Sequence, residues 1–333
     1  MTEIKEIAPE RFYPELNILR MRLGIQTSEK LPPDFYLGST WRGIIGWELQ
    51  KLICPYPGRA DCNKCTLNNS CPYFVLFEKK TDLPGMHDAP RGYIFYAPES
   101  NNRNFMLEIT LMGDCVKYFP AVLQSVLRAQ KKGLGRNGIK FHVCSVTEST
   151  PGHLVDFDLQ KDILSQIHGP FSLKSWLNDI EDNAPVYRMK IKTPLRMRQN
   201  GRYISSINLP FMLTALARRL GVISYSLQGL NFFDKEQWLD LKDYFASCKN
   251  LPELEGDPAP DKPGIHSRIK WDDYSRFSNR QRKKVPMGGI VGDCSFVVDL
   301  PQMKKWLKCA ELIHVGKGAS MGLGRVEIPQ NDS

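Results

Sequence analysis

Two segments of the chain hold residue types whose spacing could do chemistry. The first is His314-Val315-Gly316-Lys317-Gly318-Ala319-Ser320-Met321-Gly322-Leu323-Gly324-Arg325. Four glycines in nine residues let a backbone approach a ligand closely and turn its N–H groups outward. Successive N–H groups of this kind make concave anion sites that suit phosphate oxygens. Lys317 and Arg325 add positive charge at the same place. The segment lacks a Gly-Lys-Ser/Thr opening a helix, so it is not a P-loop. The plainer reading is a tight turn between a helix and a strand, although turns seldom need so many glycines.

The second segment carries Cys54, Cys62, Cys65 and Cys71, spaced C-x7-C-x2-C-x5-C. Pro55, Pro57, Gly58 and Pro72 surround them, which predicts a loop with little apolar content. Four thiolates on a short loop suit a closed tetrahedral zinc site, structural rather than catalytic. An iron–sulfur cluster uses the same ligand set, and four unrelated thiols are the plainer alternative. The chain has nine cysteines, an odd number, which argues against a disulfide framework. Cys115, Cys144, Cys248, Cys294 and Cys309 are scattered among apolar neighbours and read as core fillers.

A third stretch, Trp271 to Lys284, interleaves aromatic and basic residues: Trp271, Tyr274, Arg276, Phe277, Arg280, Arg282, Lys283 and Lys284. Aromatic faces stack on unpaired bases while cations hold a phosphate backbone. A solvated charged loop is the competing reading.

Two similar runs of elements must position these segments. In the first, Asn17–Leu23 alternates as a strand and Ser39–Ile53 has helical spacing. The cysteine loop follows, then a strand at Asn104–Met112, a helix at Lys117–Lys132, a glycine-rich turn at Gly133–Gly138 and a strand at Ile139–Val146. In the second, Tyr187–Lys192 is a strand with Arg188, Lys190 and Lys192 on one face. A helix is predicted over Leu209–Leu220, closed by Gly221, then a strand at Ser295–Leu300 and a helix at Gln302–Ile313. The glycine-rich segment and a closing strand at Arg325–Ile328 complete the run. The expected fold class is therefore α+β, with tandem ferredoxin-like (RRM-like) domains and a four-cysteine metal-binding loop inserted in the first. Expected boundaries are 1–150 with the insertion at about 54–78, an acidic connector over 151–185, and 186–333.

Charge sharpens this. The formal net charge is +9, from 45 basic and 36 acidic residues. Eight basic residues and no acidic one lie between Val186 and Leu220, and five more between Tyr274 and Lys284. Without those thirteen the remainder carries a net of −4, so the whole excess belongs to two patches in the second half. A polyanion partner is expected there. No run approaches the ~18 apolar residues of a membrane span, and the first residues have no signal-peptide pattern, so a cytoplasmic protein with no membrane partner is expected.

Five stretches, taken in order, carry a family resemblance: YLGSTWRGIIGWEL (36–49), CPYFVLFE (71–78), WDDYSRFSNRQ (271–281), VPMGGIVGD (285–293) and HVGKGASMGLGR (314–325). The last resembles the glycine-rich signature of the RAMP superfamily of CRISPR proteins. The set together resembles the CRISPR precursor-RNA (repeat RNA) processing endoribonucleases of that superfamily. The resemblance implies two ferredoxin-like domains, CRISPR repeat RNA as partner, and one cut per repeat without a catalytic metal. The ribose 2′-OH attacks the adjacent phosphate, leaving 2′,3′-cyclic phosphate and 5′-OH ends. Many relatives place a catalytic histidine beside the first helix, but Leu37 to Arg42 contains none. His314 is then the expected proton carrier, with Lys317 and Tyr274 sharing the work. His87 is a weaker choice, and His142, His153, His168 and His266 lack supporting context. RNA contacts are expected from Arg188, Lys190, Lys192, Arg276, Arg280, Lys283, Lys284, Gly316, Gly318, Ser320, Gly322, Gly324 and Arg325. Some RAMP relatives bind RNA without cutting it, so a non-catalytic RNA-binding subunit of a CRISPR effector complex is the alternative.

Overall fold

A computed structural model describes residues 13–32, 36–56, 61–81, 83, 89–98, 102–181, 186–230, 234–246, 253–254, 264–273, 275–278, 283–297 and 302–329. The chain divides into two units. One holds residues 16–172 and 226–229; the other holds 173–225, 230–333 and the residues before Leu16.

The N-terminal unit contains β1 (Asn17–Thr27), α1 (Leu37–Ile53), β2 (Tyr93–Tyr96), β3 (Asn104–Met112), α2 (Phe119–Lys132), β4 (Phe141–Thr150), β5 (His153–Asp156) and β6 (Phe171–Ser172). Its sheet runs β2-β3-β1-β4-β5, with β6 also paired to β1, and the pairings are antiparallel. The order β4-β1-β3-β2 with two helices is the ferredoxin-like arrangement. Strand β1 shows why: Leu19, Met21, Leu23 and Ile25 are buried, while Arg20 and Arg22 on the other face both reach the buried Glu108 of β3. Helices α1 and α2 pack together, and Arg128 of α2 pairs with the buried Glu48 of α1 at 3.5 Å. Trp41 of α1, fully buried, meets Phe141 of β4 edge-on with centroids 5.1 Å apart.

The C-terminal unit contains α3 (Leu173–Asn178), β7 (Val186–Leu195), β8 (Arg198–Gln199), β9 (Arg202–Tyr203), α4 (Leu209–Gln228, its last residues grouped with the other unit), α5 (Lys235–Ala246), β10 (Glu253–Leu254), β11 (Gly264–Asp272), β12 (Ser275–Ser278), β13 (Lys283–Pro286), β14 (Gly289–Val297), α6 (Met303–Ile313) and β15 (Val326–Glu327). Its sheet runs β10-β11-β14-β7-β15, so β15-β7-β14-β11 repeats the order of the first unit. Trp306 of α6 lies between Tyr13 and Phe245, with both centroids 5.1 Å away. The α+β class and the ferredoxin-like doubling hold.

Three expectations change. Helix α4 does not close at Gly221 but runs on to Gln228. Mid-helix glycine costs about 1 kcal/mol, and the fully buried Leu220, Ile223 and Ser224 show the packing that offsets it. The stretch 151–185 is no bare connector: β5 extends the first sheet, β6 pairs with β1, and α3 belongs to the second unit. Cys144 is exposed rather than a core filler, while Cys115, Cys294 and Cys309 are buried and Cys248 lies outside the described residues. Among the described residues no helix is long and apolar enough to cross a membrane.

Candidate nucleic-acid interface

The glycine-rich segment joins α6 to β15 and is laced to the end of β7. Val315 N–H donates to Gly324 O at 3.0 Å, Gly324 N–H to Pro194 O at 3.1 Å, and Lys317 N–H to Arg196 O at 2.8 Å. Thr193 Oγ1 donates to Gly322 O at 2.8 Å and accepts from Arg325 N–H at 2.9 Å. Gly324 (φ +66°) sits where a Cβ would fall 1.7 Å from the Val315 carbonyl oxygen, so only glycine closes this turn. Between Gly318 and Gly322, both left-handed, Ala319–Met321 forms one 3-10 turn. Met321, Gly322 and Leu323 N–H groups bond inside that turn. The N–H groups of Gly318, Ala319 and Ser320 open it, half-exposed at Gly318 and Ser320, with the exposed Lys317 beside them.

The C-terminal carbonyls of α6 are met by cations. Arg219 of α4, half-buried, donates from Nε to Ile313 O at 3.1 Å, and desolvation brings its guanidinium down to about 10, still charged at neutral pH. Arg325 reaches Glu311 O at 3.5 Å. Both placements complement the negative end of the helix.

These contacts bear on two expected site residues. His314 is 1% exposed and has φ +56°, and its Nδ1 lies 3.2 Å from Leu323 O. An imidazole enclosed in this way holds the loop together and offers no accessible nitrogen to a ribose hydroxyl. Arg325, expected on RNA, is 6% exposed and turned toward the helix end. Gly322 and Gly324 are likewise buried, with their N–H groups used internally, so the part of the loop able to meet an anion narrows to Gly316–Ser320.

The basic strand is as expected. Arg188, Lys190 and Lys192 are exposed on β7, alternating with buried Tyr187, Met189 and Ile191. Lys192 lies 3.8 Å from Glu327, and Lys190 sits opposite Asp293 and Glu327 in register, so acids temper this face. The sequence reading missed Arg268 and Lys270, exposed on β11, with Arg268 directly opposite Asp293. Lys283 and Lys284 are exposed on β13, which pairs with β12, so the stretch expected as a loop contains a two-stranded ribbon. Arg276 pairs in register with Val285. Tyr274 and Arg280, like His87, lie outside the described residues.

His168 has context that sequence does not reveal. The buried Glu148 accepts N–H bonds from His168 at 3.0 Å and Gly169 at 3.1 Å, with His168 Nδ1 2.8 Å away. The pairing satisfies a carboxylate that is 1% exposed and ties the preceding loop to β4.

The four cysteines are all unpaired and half-buried, and all line one cavity of about 200 Å³. Two 3-10 turns, Cys62–Lys64 and Asn68–Ser70, shape the loop, and Val75 N–H returns to Cys71 O at 3.0 Å. The loop rejoins α1 where Phe77 packs against Gly46, a position at which a Cβ would stand 3.0 Å from the ring. Burial pushes the Cys62 thiol up, and Glu78 and the other three cysteines push in the same direction. The donor set fits a four-thiolate metal in type and number. As the side chains stand, however, no group of three His, Cys, Asp or Glu among the described residues converges closely enough to hold an ion.

Residues 189–326 match the family model of the CRISPR-associated endoribonuclease Cas6, and residues 15–169 match a model described as the N-terminal domain AF_1859_N. An uncharacterized protein of Archaeoglobus fulgidus is 27% identical over 308 residues, covering 90% of this chain and 92% of that relative. Among solved structures, Cas6 (TTHB231) in a product complex aligns with a TM-score of 0.55 at 12% identity, covering 94% of this chain and 99% of that one. Thermus thermophilus Cas6 (TTHB231) aligns with a TM-score of 0.51 at 11% identity, covering 95% and 100%. The chain therefore shares the fold of the solved Cas6 structures, and its residues 189–326, which end on the glycine-rich loop, match the Cas6 endoribonuclease family model.

Proposed function

We propose that the chain is an endoribonuclease that binds CRISPR repeat RNA and cleaves precursor CRISPR RNA once in each repeat without a catalytic metal. The observation that carries the reading is the Cas6 match over residues 189–326, which ends on the glycine-rich loop with its exposed lysine. In the reaction a base takes the 2′-OH proton, O2′ bonds to phosphorus, and the P–O5′ bond breaks as O5′ gains a proton. The products are a 2′,3′-cyclic phosphate and a 5′-OH. The N–H groups of Gly318, Ala319 and Ser320, with the Lys317 ammonium, supply the positive field that a phosphorane needs. Arg188, Lys190, Lys192, Lys283 and Lys284 track the RNA backbone, with Arg276 and Arg280 of the same stretch. With His314 enclosed, proton transfer falls to Tyr274 and Lys317, the two remaining residues of the expected trio.

The enclosure of His314, and the lack of a histidine in Leu37–Arg42, favour one second reading: a RAMP-type subunit that binds repeat RNA without cutting it. Incubating the purified protein in EDTA with repeat RNA from its own host separates the two. A single cut within the repeat is expected. Tight binding with intact RNA would establish the second reading, and no binding would remove both.

For the cysteine loop we propose structural zinc, held by Cys54, Cys62, Cys65 and Cys71. Support comes from four unpaired thiols lining one cavity in a loop with few buried side chains. Zinc favours the thiolate forms and draws the four sulfurs together. Protein purified without chelators should carry about one zinc per chain by elemental analysis, an expectation taken from tetrahedral four-cysteine sites. Cys62→Ser combined with Cys65→Ser should abolish it. Metal-free wild-type protein would refute the assignment, and iron with sulfide in its place would make the site a cluster.

A further inference from the structure

Where β7 ends, the chain makes a small hairpin that the Cas6 match does not assign a role. Strands β8 and β9 are joined by Asn200 (φ +50°) and Gly201 (φ +79°), the backbone of a tight hairpin turn. Arg196, just before β8, is the residue whose carbonyl accepts the Lys317 N–H, so the hairpin begins beside the glycine-rich loop.

The hairpin carries an aromatic surface fixed in place from several sides. The Arg196 guanidinium lies 4.9 Å from the Tyr203 ring centroid and donates to the Tyr203 hydroxyl at 3.0 Å. Arg198 stands 4.5 Å from the same ring. The Trp271 indole is 6.2 Å from Tyr203, tilted by 54°, and 44% exposed. Its Nε1–H donates to Asp273 at 2.8 Å, which fixes the ring orientation. Gly288 gives it room, since a Cβ there would stand 3.0 Å from Nε1. Tyr203 also lines a hollow of about 540 Å³ together with Arg202, Ile204 and the polar residues Gln199, Asn200, Ser205, Ser206 and Asn208. Arg196 itself is 5% exposed, and no ion pair joins it to a carboxylate of the described residues. Arg196 therefore acts from beneath, holding the Tyr203 ring in place rather than meeting an anion itself.

A half-exposed indole held at its edge, a tyrosine flanked by guanidiniums, and amide and hydroxyl groups alongside suit one ligand chemistry. The rings offer stacking, the polar groups meet base edges, and the cations meet phosphate. A protein partner would cover Trp271 with an apolar surface, but the arginines and amides surrounding it match a nucleotide better.

We infer that Tyr203, held by Arg196, and Trp271, with the exposed Arg198, form a subsite for an unpaired nucleobase of the bound RNA, one nucleotide or a few from the phosphate at the glycine-rich loop. This rests on the RNA-binding reading above. The test is fluorescence anisotropy with labelled repeat RNA and the full-length chain. Trp271→Ala and Tyr203→Ala should each weaken binding about tenfold to a hundredfold. Trp271→Phe, which keeps a stacking face, should recover most of the affinity, while Trp47→Ala, exposed in the other unit beneath Lys51 and Lys132, should change it less than twofold. Binding within twofold of wild type for both alanine variants would overturn the subsite and leave RNA binding intact. A wild-type chain that binds no RNA would overturn the RNA-binding reading as well.

Discussion

Gly324→Ala should destabilise the protein by roughly 3–5 kcal/mol, at the severe end for a single substitution. Two costs add. Alanine in the left-handed region costs about 1–2 kcal/mol. The second cost is steric: the new methyl group would stand 1.7 Å from the Val315 carbonyl oxygen, so the turn must open. Opening it breaks the Val315–Gly324 and Gly324–Pro194 hydrogen bonds that fasten the loop to β7. Gly152→Ala is the matched control, because Gly152 has φ +79° but nothing within 4 Å of its Cβ direction. It should lose only the conformational share. Urea unfolding of both variants measures the difference; equal losses would show that strain, not the close approach, fixes glycine at 324.

Lys317→Ala should slow single-turnover cleavage of repeat RNA about a hundredfold, the cost of removing one preorganised charge from a developing anion. The side chain is exposed at the mouth of the loop and its backbone N–H is committed to Arg196, so the loop keeps its shape without the ammonium. Binding should fall by less than tenfold, since one phosphate contact among several is lost. Lys317→Arg should retain much of the rate. His314→Ala provides the contrast. Its ring is enclosed against Leu323 O, so the variant should lose about 1–3 kcal/mol of stability. The folded fraction should still cleave. A rate loss confined to His314→Ala, with Lys317→Ala near wild type, would return the chemistry to the histidine.

Much of the fold is legible in periodicity. The alternation of β1, β3 and β7 and the apolar faces of α2 and α6 follow from burial of one face and solvation of the other. Strand β2 is not legible, because Tyr93, Ile94, Phe95 and Tyr96 are all buried and leave no alternation to read. The β8–β9 hairpin is too short for periodicity, yet its Asn200-Gly201 pair is a known hairpin signal that could have located it. The candidate site divides along a physical line. Strand alternation places Arg188, Lys190 and Lys192 outward, because three charges on one face of a pleat have nowhere apolar to go. Arg219, His314 and Arg325 look equally polar in sequence but turn inward: the two arginines meet carbonyls at the end of α6, and His314 meets Leu323 O of the loop that follows it. Only the three-dimensional position of that helix end distinguishes them. Trp271 and Tyr203 lie 68 positions apart in sequence, so their pairing waits on the folded sheet.

Part of the excess positive charge thus lies on exposed strand faces of one unit, at Arg188, Lys190 and Lys192 of β7 and Lys283 and Lys284 of β13. Neutralising Lys190, Lys192, Lys283 and Lys284 should flatten the salt dependence of RNA binding as well as weaken it.

The most direct test of the central claim is the chemistry of the cut ends. Repeat RNA incubated with the protein in EDTA, and analysed by mass spectrometry, should give one 5′ fragment ending in a 2′,3′-cyclic phosphate and one 3′ fragment beginning with a 5′-OH. Intact RNA, or fragments with a 5′-phosphate and a 3′-OH formed only when a divalent metal is restored, would contradict it.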